Sequence, residues 1–539
     1  MSSERWSDRR FLLGVAAALA ALSSLPYLLG WLRATSQLQY LGLHGFAPGD
    51  TFVYYNYLWQ VRDGHWLLQD QFTAEPGWPI LNTYWLAAGI LGNLLRLSIP
   101  LTFHLARLLT IPFALFALWV LGGRYFSGAS RRAALVLMVF SGGISGYLLP
   151  FFRPSRELPG LYQLPLDLWT AESNVFLSAM HAGHMVAAFG MIAGIFVAFE
   201  RAVATRQFRY SVLGGSMTLA LLSFHPFHAP LVAGVLGCWW LLLAATQRRA
   251  RLDVIGHLLV GAAIAAPIVA YYAAAVAADP LTTGRAARNL QLTPAWYLLV
   301  PSFGLLLVGA LIGGRQLARM GQLREPRWLL LVAWVAAQSM LLYAPFTFQR
   351  RLVTGLVLPL ALLTVAGWPA VAVWLRRRWP QLFSAQRSLP FLAPLALLLL
   401  FGFSNMVNLA NDLGLMVQRH PLVFWPREEL AAIGGIRSRT DANAVVLALP
   451  ESSYVIAGLA GRTVVLGHDV ETLDYEAKRV AAAWFFQPGS ADVRRALLAD
   501  WGVTHVYGSA RDGGTAMLDA LPFLSSIYRN ATAAVYRVQ

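Results

Sequence analysis

The chain's 539 residues carry a formal charge of +16, yet only 13% of them are charged and 57% are hydrophobic. Soluble domains average about 25% charged residues, so this composition excludes an ordinary water-soluble protein and makes the bilayer the expected solvent. The basic excess is arginine clustered between apolar runs, without aromatic-basic motifs, which argues against a nucleic-acid partner and fits cytoplasmic loops. Cys238 is the single cysteine, so an intrachain disulfide and a thiolate zinc site are excluded.

In chain order, Phe11–Leu32 is long enough to cross ~30 Å of hydrocarbon. It lacks a small-residue cleavage site and reads as a retained helix rather than a signal peptide. Arg5, Arg9 and Arg10 place the N-terminus in the cytoplasm, so residues 33–102 form a long outer loop. If Ile80–Leu97 within that loop spanned the membrane, Arg124, Arg131 and Arg132 would land outside. It therefore reads as an interfacial or re-entrant helix. Spans follow at about 103–121 and 133–150, then a Pro-rich outer loop, Phe151–Ser173. Further spans are expected at about 181–200 and 211–225, and then to Arg248, Arg249 and Arg251. The next pair runs out through Val254–Ala278 and back to Arg315–Arg327. The last go out to Phe346–Arg351, back to Arg376–Arg378, and out again through about 389–408. The expected fold is thus a polytopic α-helical membrane protein of about 11 spans, in a cell (inner or plasma) membrane, with its C-terminus outside.

Residues 409–539 have a different texture. Ala444–Leu449, Thr463–Leu466, Thr504–Tyr507 and Ala533–Val538 read as strands, and Glu476–Phe486 and Ala491–Trp501 as helices. The alternation predicts a small extracytoplasmic α/β domain after a membrane module at 1–408. No long internal repeat marks an inverted-repeat transporter.

Ionisable groups near membrane helices mark function by default, and under this topology they gather on the outer side. Asp50, Asp63, Asp70 and Glu75 lie in the first loop, His104 and Arg107 open the next span, and Glu172 precedes His181 and His184. His225 and His228 close another span, and Arg350 and Arg351 occupy a late outer turn. Two guanidinium forks suit a lipid phosphate, or they snorkel to headgroups. The spacing of His181 with His184, and of His225 with His228, fits a divalent metal held with Asp50 or Glu172, or interfacial histidines bonded to loops. Asp50 reads as a general base or as a helix cap. Asn530-Ala531-Thr532 is taken as a chance sequon, and Gly458, Gly461 and Gly467 make no phosphate loop because no GK[ST] follows.

Several of these features resemble the GT-C superfamily of membrane glycosyltransferases, which use polyprenyl-phosphate-linked sugars, in the manner of mannosyltransferases and aminoarabinose transferases. The resemblance rests on Gly49-Asp50 in the first outer loop and on Glu75-Pro76-Gly77-Trp78-Pro79-Ile80 before an interfacial helix. It also rests on Ala106-Arg107-Leu108 opening the next span, on Phe348-Gln349-Arg350-Arg351-Leu352 late in the bundle, and on the outer α/β domain. The chain departs from the family pattern in having Gly49 before Asp50, where some families carry a second acid, and Pro76-Gly77-Trp78-Pro79 in place of a Pro-Pro pair.

The resemblance implies Asp50 as catalytic base or acceptor-orienting carboxylate. It implies Arg350 or Arg351 as lipid-phosphate ligand, with Glu172 and the histidines lining the cavity and Arg107 and Glu75 on the substrate side. It further implies inverting transfer from a polyprenyl-phosphate sugar to a glycan, lipid or protein acceptor in a bacterial cell envelope. No cofactor is required, although a divalent metal would help. The alternatives are a flippase of lipid-linked saccharide and a non-catalytic lipid- or partner-binding relative.

Overall fold

The computed structural model describes residues 2–45, 47–158, 160–379 and 389–539. Each span expected from the sequence coincides with a helix or a bent helix pair. By length and composition, six helices among the described residues are able to cross a membrane: Trp6–Arg33, Ile99–Gly122, Gly183–Thr205, Pro226–Gln247, Leu252–Ala278 and Gln349–Arg378. The number rises to eight if each of two bent pairs is one span: Gly128–Phe140 with Ser145–Phe151, bent by 43°, and Trp296–Phe303 with Leu305–Arg319, bent by 84°. This is fewer than the expected eleven. Phe208–Phe224 has 17 residues and Pro326–Leu341 has 16, about 24–26 Å at 1.5 Å per residue. The chain is a multi-pass membrane protein on this composition. The contested Ile80–Leu97 stretch folds as Thr83–Leu94, about 18 Å long and too short to span.

The chain divides into two compact units. The first comprises Met1–Leu25, Arg107–Tyr272 and Leu290–Asn411; the second comprises Pro26–Ala106, Ala273–Asn289 and Asp412–Gln539. Most of the first loop thus belongs to the same unit as Asp412–Gln539.

In the first unit Gly183–Thr205 is the central helix, with 83% of its most apolar window buried, against 28% for Leu252–Ala278. Lipid tails supply no hydrophobic drive between helices, so close backbone approach through small residues becomes decisive. Gly309-Ala310-Leu311-Ile312-Gly313 provides it. A Cβ at Gly313 would overlap the Leu363 carbonyl oxygen, and one at Gly367 would meet the Gly313 nitrogen at 2.8 Å. The helix Leu305–Arg319 therefore packs directly on Val357–Arg378.

The strands in chain order are β1 (Leu38–Tyr40), β2 (Ser155–Leu158), β3 (Leu161–Gln163), β4 (Phe424–Pro426), β5 (Val445–Leu447), β6 (Thr463–Val464), β7 (His505–Ser509), β8 (Leu524–Arg529) and β9 (Ala533–Val538). In the second unit five of them form one sheet in the order β6-β5-β7-β9-β8. β5 pairs in parallel with β6 and β7, while β9 runs antiparallel to β7 and β8. Leu447, Leu466, Val506 and Tyr536 pack with Phe485 and Leu498 from the helices Tyr475–Phe485 and Ala491–Asp500.

The first loop is built into this domain. β1 pairs antiparallel with β4, and Thr73 bridges to Leu466. The Val464 N–H donates to the Gln71 carbonyl at 2.9 Å. Asn56, on the helix Pro48–Arg62, donates to the Ala457 carbonyl at 2.9 Å.

Candidate functional site

In the second unit, Asp50 lies in the first turn of the helix Pro48–Arg62. It is not the cap, a position held by Ala47 at φ 37°. Its Oδ1 is 3.1 Å from Nε2 of His468, and 38% of the Asp50 side chain stays exposed against 11% of His468. His468 follows the β6 extension Val464-Val465-Leu466-Gly467. The Gly467 N–H donates to Thr472 Oγ1, whose hydroxyl donates to the Phe72 carbonyl, and this fixes the loop. His468 Nδ1 lies 3.2 Å from Asp469 Oδ1. Burial works against the imidazolium, but the hydrogen bond and charge of Asp50 outweigh it and push His468 up to about 9. Asp50 therefore favours the cationic form of His468 at neutral pH.

Two further ion clusters lie in the same unit. Arg285 pairs with Asp70 and, at 2.6 Å, with Glu471. Burial pushes Asp70 up to about 6 despite Arg285. Glu75 takes Lys478, the chain's single lysine, at 2.6 and 2.7 Å, and also accepts from Thr73. Burial would raise the Glu75 carboxyl, but these bonds hold it below its ordinary value. The Pro76-Gly77-Trp78-Pro79 segment is pinned where Asp279, capping Pro280–Arg288, accepts the Trp78 N–H at 2.9 Å.

In the first unit three turns converge: Ala171–Ser173, Pro226–His228 and Gln349–Val353, the last packing against both others. They carry Glu172, which is buried, His228, and Arg350 with Arg351. The Arg350 guanidinium stacks 4.0 Å over Trp169, and that of Arg351 lies 4.8 Å from the Phe227 ring centre. The arginine turn is held by Gln338, fully buried, which donates to the Leu352 and Thr354 carbonyls at 2.7 and 2.9 Å. His225 sits between His184 (4.9 Å) and His228 (5.1 Å, stacked) by ring centres.

Among solved structures, the chain is similar to the archaeal oligosaccharyltransferase AglB of Archaeoglobus fulgidus, with 13% identity over 99% of this chain and 75% of that one, at a TM-score of 0.55. It is also similar to ArnT of Cupriavidus metallidurans, with 10% identity over 97% of this chain and 98% of that one, at a TM-score of 0.54. The chain has the GT-C fold. No protein-family model and no curated protein matches it.

Within that GT-C fold the expected residues fall into groups. Arg350, Arg351, Glu172, His184, His225 and His228 gather in the first unit. Asp50 and Glu75 lie in the second. His181 ends the helix Val175–His181, buried. Arg107 is buried as well. It donates to the Ser23 and Ser24 hydroxyls and to the Ala179 carbonyl at 2.9–3.0 Å, the bonding of a strut between helices. Glu75 likewise has the bonding of an ion-pair partner. Among the described residues no group of three or more His, Cys, Asp or Glu side chains is arranged to hold a metal. Stacking turns the His225 and His228 ring faces toward each other, which does not aim their nitrogens at one point.

The sequence reading missed His468, Glu471 and Arg285. The available signal was a polar His468-Asp469 pair just past a short buried strand, since strand carboxyl ends carry sites in α/β sheets. It also missed Asp167, fully buried near the bend at residues 141–144. Burial raises the Asp167 carboxyl to about 7 although Ser145 and Ser404 oppose it.

Proposed function

We propose that this chain is an integral membrane glycosyltransferase that moves a sugar from a polyprenyl-phosphate carrier to an acceptor on the outer face, with inversion. The observation that carries the reading is the GT-C fold extending over 97–99% of the chain. The ArnT structure is described as bound to undecaprenyl phosphate, and the AglB structure as a complex with an inhibitory peptide and a dolichol-phosphate. A lipid phosphate is accordingly the donor class we assign here.

The residues supply the chemistry in named roles. Asp50 accepts the proton of the acceptor hydroxyl, whose oxygen attacks the anomeric carbon from the face opposite the phosphate. The bond from that carbon to the phosphate oxygen breaks, and the electron pair leaves with the lipid phosphate. Taken separately, Arg350 and Arg351 carry forked donors that suit a lipid phosphate, and they are the residues we assign to bind it. His468 is a positioning residue, because its contact at 3.1 Å orients the Asp50 carboxylate. Stacking on Trp169 and Phe227 fixes the arginine planes, so less side-chain freedom is lost when phosphate binds.

The test incubates purified protein with radiolabelled polyprenyl-phosphate sugars. Wild type is expected to consume donor, and Arg350→Ala to consume it roughly 100-fold more slowly. Wild type that leaves every donor intact sinks the reading.

A further inference from the structure

The C-terminal sheet has a topological switch point. β5 is flanked by β6 on one side and β7 on the other, all three parallel. The connections leaving the carboxyl ends of β5 and β7 therefore diverge, and in open α/β sheets such crevices take ligands. Here the crevice holds a cavity of about 350 Å³, within the range of small-ligand sites. Glu451, Tyr454 and Val455 come from the connection after β5, and Arg511 from the turn after β7. Asp512 joins the two connections. It accepts from Ser452 Oγ at 2.8 Å, Ser509 Oγ at 2.7 Å and the Leu449 N–H at 2.9 Å. Phe52, Trp425 and Leu422 supply apolar walls.

Of the Arg, Lys, Asp and Glu side chains lining the cavity, Arg511 is a cation and Glu451 a carboxylate. Arg511 stacks 4.4 Å over Trp425, pairs with Glu429 at 3.1 Å and approaches Glu451 at 3.8 Å. An anionic ligand would meet the Glu451 carboxylate, and a cationic one would meet the guanidinium. A neutral polyhydroxylated ligand finds donors, acceptors and aromatic faces together. The cavity also adjoins the first turn of the Asp50 helix, since Pro48 and Gly49 line it. Gly49 is needed there, because a Cβ would meet the Tyr454 ring at 2.8 Å. The same Tyr454 ring lies 5.5 Å from that of His468.

We infer that this switch-point cavity binds a neutral saccharide. On the transferase reading above, on which this assignment of role rests, the saccharide is the acceptor. The test is saturation-transfer NMR on the full chain in lipid nanodiscs, with methyl α-mannoside, methyl α-arabinofuranoside and glucuronate as probes. A neutral glycoside is expected to receive saturation, with glucuronate weaker. Arg511→Ala is expected to reduce the signal roughly tenfold. Because that change also frees Glu429, Glu451→Gln and the cavity-filling Leu422→Trp, both at exposed positions, are run beside it and are expected to lower the signal too. No transfer to either neutral glycoside, a stronger signal from glucuronate, or signals unchanged in Leu422→Trp and Glu451→Gln would each overturn the inference. Donor consumption is assayed on the same samples. Glycoside binding without sugar transfer would retain the cavity and sink the transferase reading, whereas transfer without glycoside binding would do the reverse.

Discussion

At the scale of single residues, two half-buried charge pairs of the second unit each make a prediction. His468 is raised from its ordinary value to about 9 because Asp50 outweighs burial. A base whose folded value is raised stabilises fully below its unfolded value of ~6.5 and loses that stabilisation as pH rises through the folded one. Thermal stability in detergent should therefore fall between about pH 6.5 and pH 9, with a component on the order of 3 kcal/mol that disappears in His468→Gln. An identical pH profile for both proteins would show that the pair contributes nothing. Glu75 separates two roles in the same way. Its carboxylate is engaged by Lys478 and Thr73, so Glu75→Gln should lower the melting temperature while leaving the KM for donor unchanged. A raised KM with an unchanged melting temperature would return Glu75 to the substrate.

Between elements, glycine decides the packing. Gly309 and Gly313 let Leu305–Arg319 lie against Val357–Arg378, the helix that directly follows the arginine turn. Gly313→Leu should destabilise by about 3 kcal/mol or more, since the Leu363 carbonyl occupies the space. Gly314→Ala, where nothing lies within 4 Å of a new Cβ, should change the melting temperature little. Equal effects from the two would refute a packing role for Gly313.

The same scale shows what was legible in the sequence. The strand Ala533–Val538 matches the expected bounds because it is a short, mostly apolar run, and the helix at 475–485 matches to within one residue because its buried positions keep helical spacing. The helix Arg427–Arg439 was missed because Gly434 and Gly435 weaken its pattern. Gly435 is required there by the Tyr528 ring, 2.9 Å from where a Cβ would stand. β8 was missed because Ser525 and Ser526 break its alternation. Asp50, Arg350 and Arg351 were visible as charges out of place in an apolar chain. Their partners His468, Trp169 and Phe227 lie far away in sequence, and only folding brings them together.

For the whole molecule, the arginine distribution and the helix lengths bear on orientation together. Thr83–Leu94 is too short to span, which is the condition under which Arg124, Arg131 and Arg132 fall in the cytoplasm. A reporter enzyme fused after Gln539 should then be active only outside the cytoplasm, and a cytoplasmic signal would overturn the placement of Asp50 and of the C-terminal domain on the outer face.

On the proposed function, this GT-C fold is a working transferase with Asp50 as its base. The most direct test is single-turnover consumption of a labelled polyprenyl-phosphate sugar by wild type and by Asp50→Asn in identical nanodiscs. Wild type is expected to transfer the sugar with inverted anomeric configuration, and Asp50→Asn to be slower by roughly 100- to 10,000-fold with donor affinity retained. Full activity in Asp50→Asn, or a retained anomeric configuration, would contradict that function.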